Sequence, residues 1–142
     1  MSSRSVSLWL WLLLAAFVFR VAAQLLQWQI GLSFLPPFEA WQSGALPYGA
    51  LLAAQVLIVL FLTRVAWSFS VGTVTASSRS ARLWLIPGGL YLAVMVTRLV
   101  LGQTLLAGHA WFDRPLPSTF HIVLASFMIV AGLYHYLNTR AA

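Results

Sequence analysis

The sequence contains no cysteine and no lysine, and only two of its 142 residues are acidic, Glu39 and Asp113. The absence of cysteine excludes disulfides, thiolate metal sites, cysteine-ligated iron–sulfur clusters and cysteine nucleophiles. Charged residues make up 7% of the chain, whereas a soluble domain has about 25%. A surface with so few charges needs lipid around it, so the composition predicts a single all-α integral membrane domain spanning residues 1–142.

The basic residues are eight arginines, which give the chain a formal net charge of +6. They form no cluster that could follow a phosphate backbone, which argues against nucleic acid as a partner. The predicted partners are therefore the lipid bilayer and either further copies of the chain or other membrane subunits.

Four apolar runs cover residues 8–30, 48–69, 83–107 and 119–137. Each has about the 20 residues that a helix needs to cross a roughly 30 Å hydrocarbon core. Helix is the expected conformation because main-chain polar groups in lipid must be satisfied within the segment. The runs predict a four-helix transmembrane bundle.

The arginines near the helix ends predict an orientation. Arg4, Arg79, Arg82 and Arg140 fall on one side of the predicted bundle, whereas Arg114 falls on the other. Basic residues favour the cytoplasmic side of a membrane. Both termini are therefore expected in the cytoplasm, with the protein in the plasma (inner) membrane.

Polar side chains within the apolar runs are candidates for a binding site. Arg20 and Arg98 both lie far from the ends of their predicted helices, and a charge at the bilayer centre costs at least about 2.5–3.5 kcal/mol. Arg20, Gln24 and Gln27 share one helix face because they recur at i, i+4 and i+7. The amides predicted to line a site with the two arginines are Gln24, Gln27, Gln55 and Gln103.

Two interpretations of the arginines stay open at this stage. In the first, they bind an anionic or strongly polar ligand, such as haem propionates, a lipid phosphate or quinone carbonyls. In the second, Glu39 and Asp113 fold inward and neutralise them, while the glutamines hydrogen bond between helices.

The histidines suggest a specific ligand. His121 and His135 are 14 residues apart, which places both imidazoles on one face of a helix, about 21 Å apart along its axis. This spacing resembles the transmembrane helices of cytochrome b, in which one helix carries a ligand for each of two stacked haems. The resemblance implies that His121 and His135 bind iron, with Arg20 and Arg98 balancing the propionates.

The chain departs from that pattern because no second helix supplies the partner histidines. His109 remains as a possible partner for His121, on the same side of the membrane. The leading functional hypothesis is a b-type haem electron-transfer subunit that engages quinone. The alternatives are a structural or assembly subunit of a larger membrane complex, and a small lipid or anion carrier.

A short internal similarity bears on the carrier hypothesis. Arg20 and Gln24 precede the first outer loop, and Arg98 and Gln103 precede the third connection at nearly the same spacing. Such a repeat predicts two helical hairpins related by an axis along the membrane normal, as in some transporters.

Overall fold

The computed structural model describes residues 2–42, 44–109 and 111–140. It consists of α1 (Ser3–Gln29), a short 3-10 helix (Phe38–Trp41), α2 (Tyr48–Ser70), α3 (Ser78–Gln103) and α4 (Pro115–Arg140). The prediction of four helices long and apolar enough to span a membrane is confirmed. These described residues contain no strand.

Two helices begin earlier in the sequence than the apolar runs predict, and each begins at a serine cap. The Ser2 side chain accepts a hydrogen bond from the main-chain N–H of Ser5, and Ser77 accepts one from Ser80. Each cap satisfies an N–H group that the first turn of a helix leaves free. As a result α1 begins at Ser3 rather than at residue 8, and α3 begins at Ser78 rather than at residue 83.

The connection between α3 and α4 also differs from the prediction. Helix α3 ends at Gln103, before the predicted limit of residue 107, and the chain then turns through Gly108 at a φ of 88°. Helix α4 begins at Pro115, earlier than the predicted residue 119. Proline suits the first position of a helix because its missing N–H would have no partner there.

The bundle has two ends with different contents. The loop end carries the connection between α1 and α2 (the first loop, which includes the 3-10 helix) and the connection between α3 and α4 (the second loop); each loop closes one helical hairpin, α1–α2 or α3–α4. The termini end carries the start of α1, the end of α4 and the link from α2 to α3. Arg20, Gln55, Arg98 and His121 all belong to the half of the bundle next to the loop end.

The core lies mainly among α1, α2 and α4. It contains Val6, Leu10 and Leu14 from α1, Leu62, Ala66 and Phe69 from α2, and Phe127 and Ala131 from α4. Most other large apolar side chains face outward, for example Leu57 and Leu90 at 68% and 65% exposure. An apolar exterior around a small core is expected of helices that pack in lipid.

Glycines allow α3 and α4 to pack most closely. A Cβ added at Gly132 would lie 2.7 Å from Leu85 Cγ, and one at Gly88 would lie 3.0 Å from Met128 Cβ. Small residues at such contacts let helix backbones approach each other. The two helices therefore form the tightest pair in the bundle.

The bundle is open between α2 and α3. Helix α1 packs against α2 and α4, and α4 packs against α3, but the described parts of α2 and α3 bring no Cα atoms within 8 Å of each other. Phe61 of α2 stacks on Trp84 of α3 with centroids 6.1 Å apart. The ring contact lies towards the termini end, which leaves the opening in the half next to the loop end.

Candidate functional site

Arg20 connects α1 to the first loop. Its side chain is 6% exposed and its Nη2 donates to the main-chain oxygen of Trp41 at 2.9 Å. Trp41 is itself buried, stacks on Phe120, and donates its indole N–H to the oxygen of Pro36. The first loop is thus folded back onto the bundle, and its tryptophan is a packed residue rather than a membrane-interface anchor.

Arg98 makes the same kind of contact in the second hairpin. Its side chain is 3% exposed, and its Nε and Nη2 donate to the main-chain oxygen of Trp111 at 3.2 and 2.7 Å. Its guanidinium also lies 4.0 Å from the centroid of the Trp111 ring, a cation–π contact. Each hairpin therefore holds its own loop through an arginine and a tryptophan carbonyl, which is consistent with the short internal similarity.

The arginines do not pair with the two acids. Glu39 and Asp113 are exposed, and within residues 2–42, 44–109 and 111–140 neither Arg20 nor Arg98 contacts a carboxylate. Even Arg114 donates to the main-chain oxygen of Glu39 rather than to its side chain. The neutralisation by inward-folded acids that one interpretation required is not formed.

A small cavity lies beside Arg20 among α1, α2 and α4. Its volume is about 80 Å³, and Arg20, Gln55 and His121 provide its polar lining. A water molecule needs roughly 10–15 Å³ on such a measure, whereas pockets for drug-sized ligands span about 300–1,000 Å³. The cavity therefore suits waters or a small polar group.

A larger groove adjoins this cavity at the opening between α2 and α3. It has a volume of about 270 Å³, and its lining includes Leu51, Met95, Arg98 and His121. Leu51 and His121 line both spaces, so His121 stands between the cavity and the groove. An apolar surface groove of about 390 Å³ continues from Arg98 along α3.

His121 is oriented by Tyr91. The Tyr91 hydroxyl and Nδ1 of His121 share a hydrogen bond, and the two rings lie 5.7 Å apart. In the described chain Nε2 of His121 has no hydrogen-bond partner. Arg20 lines the small cavity together with His121, and Arg98 lines the larger groove together with His121. The four side chains thus form one polar cluster next to the opening.

Three of the four predicted glutamines lie between α1 and α2 near the polar cluster, whereas Gln103 lies away from it. Nε2 of Gln55 donates to Oε1 of Gln24 at 3.4 Å, and both side chains are buried. Oε1 of Gln27 is buried without a partner. Gln103 is exposed at the end of α3. It does not line the cavity or the adjoining groove.

The three histidines have separate surroundings. His109 is exposed and packs against Phe112, whereas His135 is 5% exposed and packs against Phe69. No hydrogen bond or ring contact joins two histidines in the described part of the chain. The same residues contain no group of three or more potential metal ligands.

The small residues between His121 and His135 serve helix packing. Gly132 lies against Leu85 and Trp84 of α3, and Ala131 belongs to the core with Phe127. Neighbouring helices thus occupy the space beside these small residues. Haem binding along this face of α4 stays a prediction.

The sequence predicts the charged residues of the site but not the groups that they contact. Main-chain oxygens of Trp41 and Trp111 hold the arginines, and a carbonyl group leaves no sequence signal because every residue has one. The sequence places Tyr91 on the same helix face as Arg98, two turns earlier, but it does not indicate the hydrogen bond to His121. Comparisons with known protein families, curated proteins and solved structures find no match to this chain.

Proposed function

We propose that the chain is a multi-pass membrane protein that binds the anionic headgroup of an amphiphile, entering sideways between α2 and α3. The observation that carries the proposal is that, within the described residues, neither buried arginine contacts a carboxylate, while each borders a space that His121 also lines. The apolar groove that continues from Arg98 along α3 supplies a surface for an acyl chain.

The arginines keep unused donors for a ligand. A guanidinium has five N–H groups, and Arg20 uses one of them on Trp41. A hydrogen bond to a charged group contributes about 1.5–3 kcal/mol, whereas an uncompensated buried charge costs about 3–5 kcal/mol. One carbonyl therefore compensates only part of the charge, and an anion would compensate the rest.

The charge of the site favours an anion over a neutral quinone. Arg20 and Arg98 bring two positive charges next to His121, and the only two acids of the chain are exposed in the loops. Hydrogen bonds to an ionised acceptor are roughly twice as strong as those between neutral groups. A phosphate group gains more from this cluster than a quinone carbonyl does.

The test uses phosphate-containing probes and three arginine variants. Native mass spectrometry of the purified protein would titrate dihexanoyl phosphatidic acid and, separately, dihexanoyl phosphatidylcholine. Arg20→Gln and Arg98→Gln are each expected to weaken binding of the acidic lipid by about 10- to 150-fold, from the loss of about 1.5–3 kcal/mol. Arg64→Gln is the matched control because Arg64 is exposed near the termini end.

Two results would refute the proposal. One is a wild-type protein that binds both lipids equally, and the other is a pair of folded Arg20→Gln and Arg98→Gln variants that bind like Arg64→Gln. Inorganic phosphate identifies the source of the anion. Displacement of the lipid by millimolar phosphate would indicate a soluble anion as the natural ligand, and its failure would indicate a lipid.

The haem hypothesis keeps one supporting observation. Nδ1 of His121 is bound to Tyr91 while Nε2 is free and the ring borders the groove, and a metal-binding histidine usually has its other ring nitrogen hydrogen bonded in this way. A Soret band that sharpens on reduction and disappears in His121→Ala would support b-type haem. A featureless spectrum of protein from cells supplied with haem precursor would exclude it.

The membrane orientation follows from the arginines. Arg4, Arg79, Arg82 and Arg140 lie at the termini end and Arg114 at the loop end, so we propose a cytoplasmic termini end in the plasma (inner) membrane. Reporter fusions after Arg140 and within residues 30–47 should give opposite activities. Matching activities would contradict this topology.

A further inference from the structure

Four buried polar atoms without partners lie in the seam between α1 and α2. They are Nε2 of Gln24, Oε1 of Gln27, the hydroxyl of Tyr48 and Oε1 of Gln55. Gln24 and Gln55 are 0% and 3% exposed. Buried polar groups nearly always have a hydrogen-bond partner, and leaving one unpaired costs about 1–3 kcal/mol. Four such atoms in one seam indicate that something outside the chain binds them.

The residues that carry these atoms extend from the loop end to the cavity. Gln24 and Gln27 are one turn apart on the same face of α1, and Tyr48, the first residue of α2, packs its ring 5.3 Å from that of Trp28. Gln55 contacts Gln24 and lines the cavity. These residues therefore extend from the start of α2 to the cavity beside Arg20.

We infer that a chain of water molecules fills this seam and connects the Arg20 cavity with the aqueous phase at the loop end. The four atoms include a donor, two acceptors and a hydroxyl that can do both, a mixture that water satisfies and a single-sign ion does not. The cavity of about 80 Å³ exceeds the roughly 10–15 Å³ that one water needs.

Through a hydrated seam, water and protons from the loop end reach the cavity that His121 lines. This path is separate from the opening between α2 and α3. Lipid would reach the cluster from the side, whereas water would reach it along the axis of the bundle. The inference rests on the unpaired atoms and on the cavity volume, so it holds or fails independently of the proposed headgroup ligand.

The absence of cysteine makes the test direct, since any introduced cysteine is the only thiol. Gln24→Cys and Gln55→Cys would be placed in lipid nanodiscs and treated with methanethiosulfonate ethylammonium. The thiolate attacks the reagent, forms a mixed disulfide and releases methanesulfinate. Only a hydrated thiol ionises readily, because apolar surroundings raise the pKa of a cysteine.

Three controls match these positions. Leu26→Cys and Val56→Cys lie close by on the same helices but face outward, at 41% and 47% exposure. Leu14→Cys is buried in the apolar core of α1 at 3% exposure, so it controls for space created by the smaller side chain. All variants would first be checked for a monodisperse elution profile.

The expected result is labelling of Gln24→Cys and Gln55→Cys at least ten times faster than labelling of the three controls. If Gln24→Cys does not fold, Gln55→Cys on the other helix carries the test. Labelling rates within two-fold of the controls at the folded glutamine positions would overturn the inference.

Discussion

The contact of Gly102 with the second loop gives the sharpest prediction about stability. A Cβ added at this buried glycine would lie 2.0 Å from the main-chain oxygen of Phe112, although Cβ atoms essentially never come closer than 3.0 Å to a neighbour. In Gly102→Ala the Phe112 main chain must therefore move by about 1 Å. Phe112 follows Trp111, whose carbonyl accepts both hydrogen bonds from Arg98.

The magnitude follows from three contributions. Overpacking costs about 1–3 kcal/mol, and loss of the bonds from the charged Arg98 adds about 1.5–3 kcal/mol. Replacing a helical glycine by alanine stabilises the helix by about 1 kcal/mol, which offsets part of this loss. Gly102→Ala should thus lower the free energy of unfolding by about 1.5–5 kcal/mol.

The assay is reversible denaturation in mixed micelles, followed by fluorescence of the seven tryptophans. Gly89→Ala is the control, because a Cβ there meets nothing within 4 Å, and it should raise the free energy of unfolding by about 0.5–1 kcal/mol. If the free energies of unfolding of Gly102→Ala and Gly89→Ala differ by less than about 0.5 kcal/mol, the close contact between α3 and the second loop does not exist.

Three further predictions use the same denaturation assay. Gly132→Ala should lower the free energy of unfolding by about 1–3 kcal/mol, which is less than the effect of Gly102→Ala. The added Cβ meets mainly side-chain atoms of Leu85, which can move more easily than main chain. A loss of stability equal to or larger than that of Gly102→Ala would contradict this order. Ser118→Ala should be neutral or stabilising by up to about 1 kcal/mol, because the buried hydroxyl has no partner; a clear loss would reveal a missing partner. His135→Phe should also leave stability unchanged or improve it, because Nδ1 is buried and unpaired; loss of a visible spectrum in this variant would instead support haem.

The two hairpins are alike in their arginine contacts but unlike in how they close. Arg20 and Arg98 each bind the carbonyl of a tryptophan in the loop that follows. Helices α1 and α4 pack together, whereas the corresponding pair, α2 and α3, stays apart. The lack of contact between α2 and α3 creates the lateral opening beside His121. The proposed site therefore has an entrance because the two hairpins do not pack symmetrically.

Much of the fold was predictable because the signals are local. Hydropathy and length identify four helices, and these properties depend on consecutive residues rather than on distant contacts. The serine caps at Ser2 and Ser77 are equally local signals, but hydropathy does not reveal them because the apolar runs begin several residues later. The depth of Arg20, Gln55, Arg98 and His121 followed from their positions within the runs.

By itself, then, the sequence determined the four helices, their apolar exterior and the polar residues at the level of the site. The tertiary structure decided which groups those residues meet. Glu39 and Asp113 stay exposed and carbonyls of Trp41 and Trp111 take their place, because loops that fold back present main-chain oxygens wherever they turn. It also decided that α2 and α3 stay apart, since the glycines that permit close helix packing lie between α3 and α4.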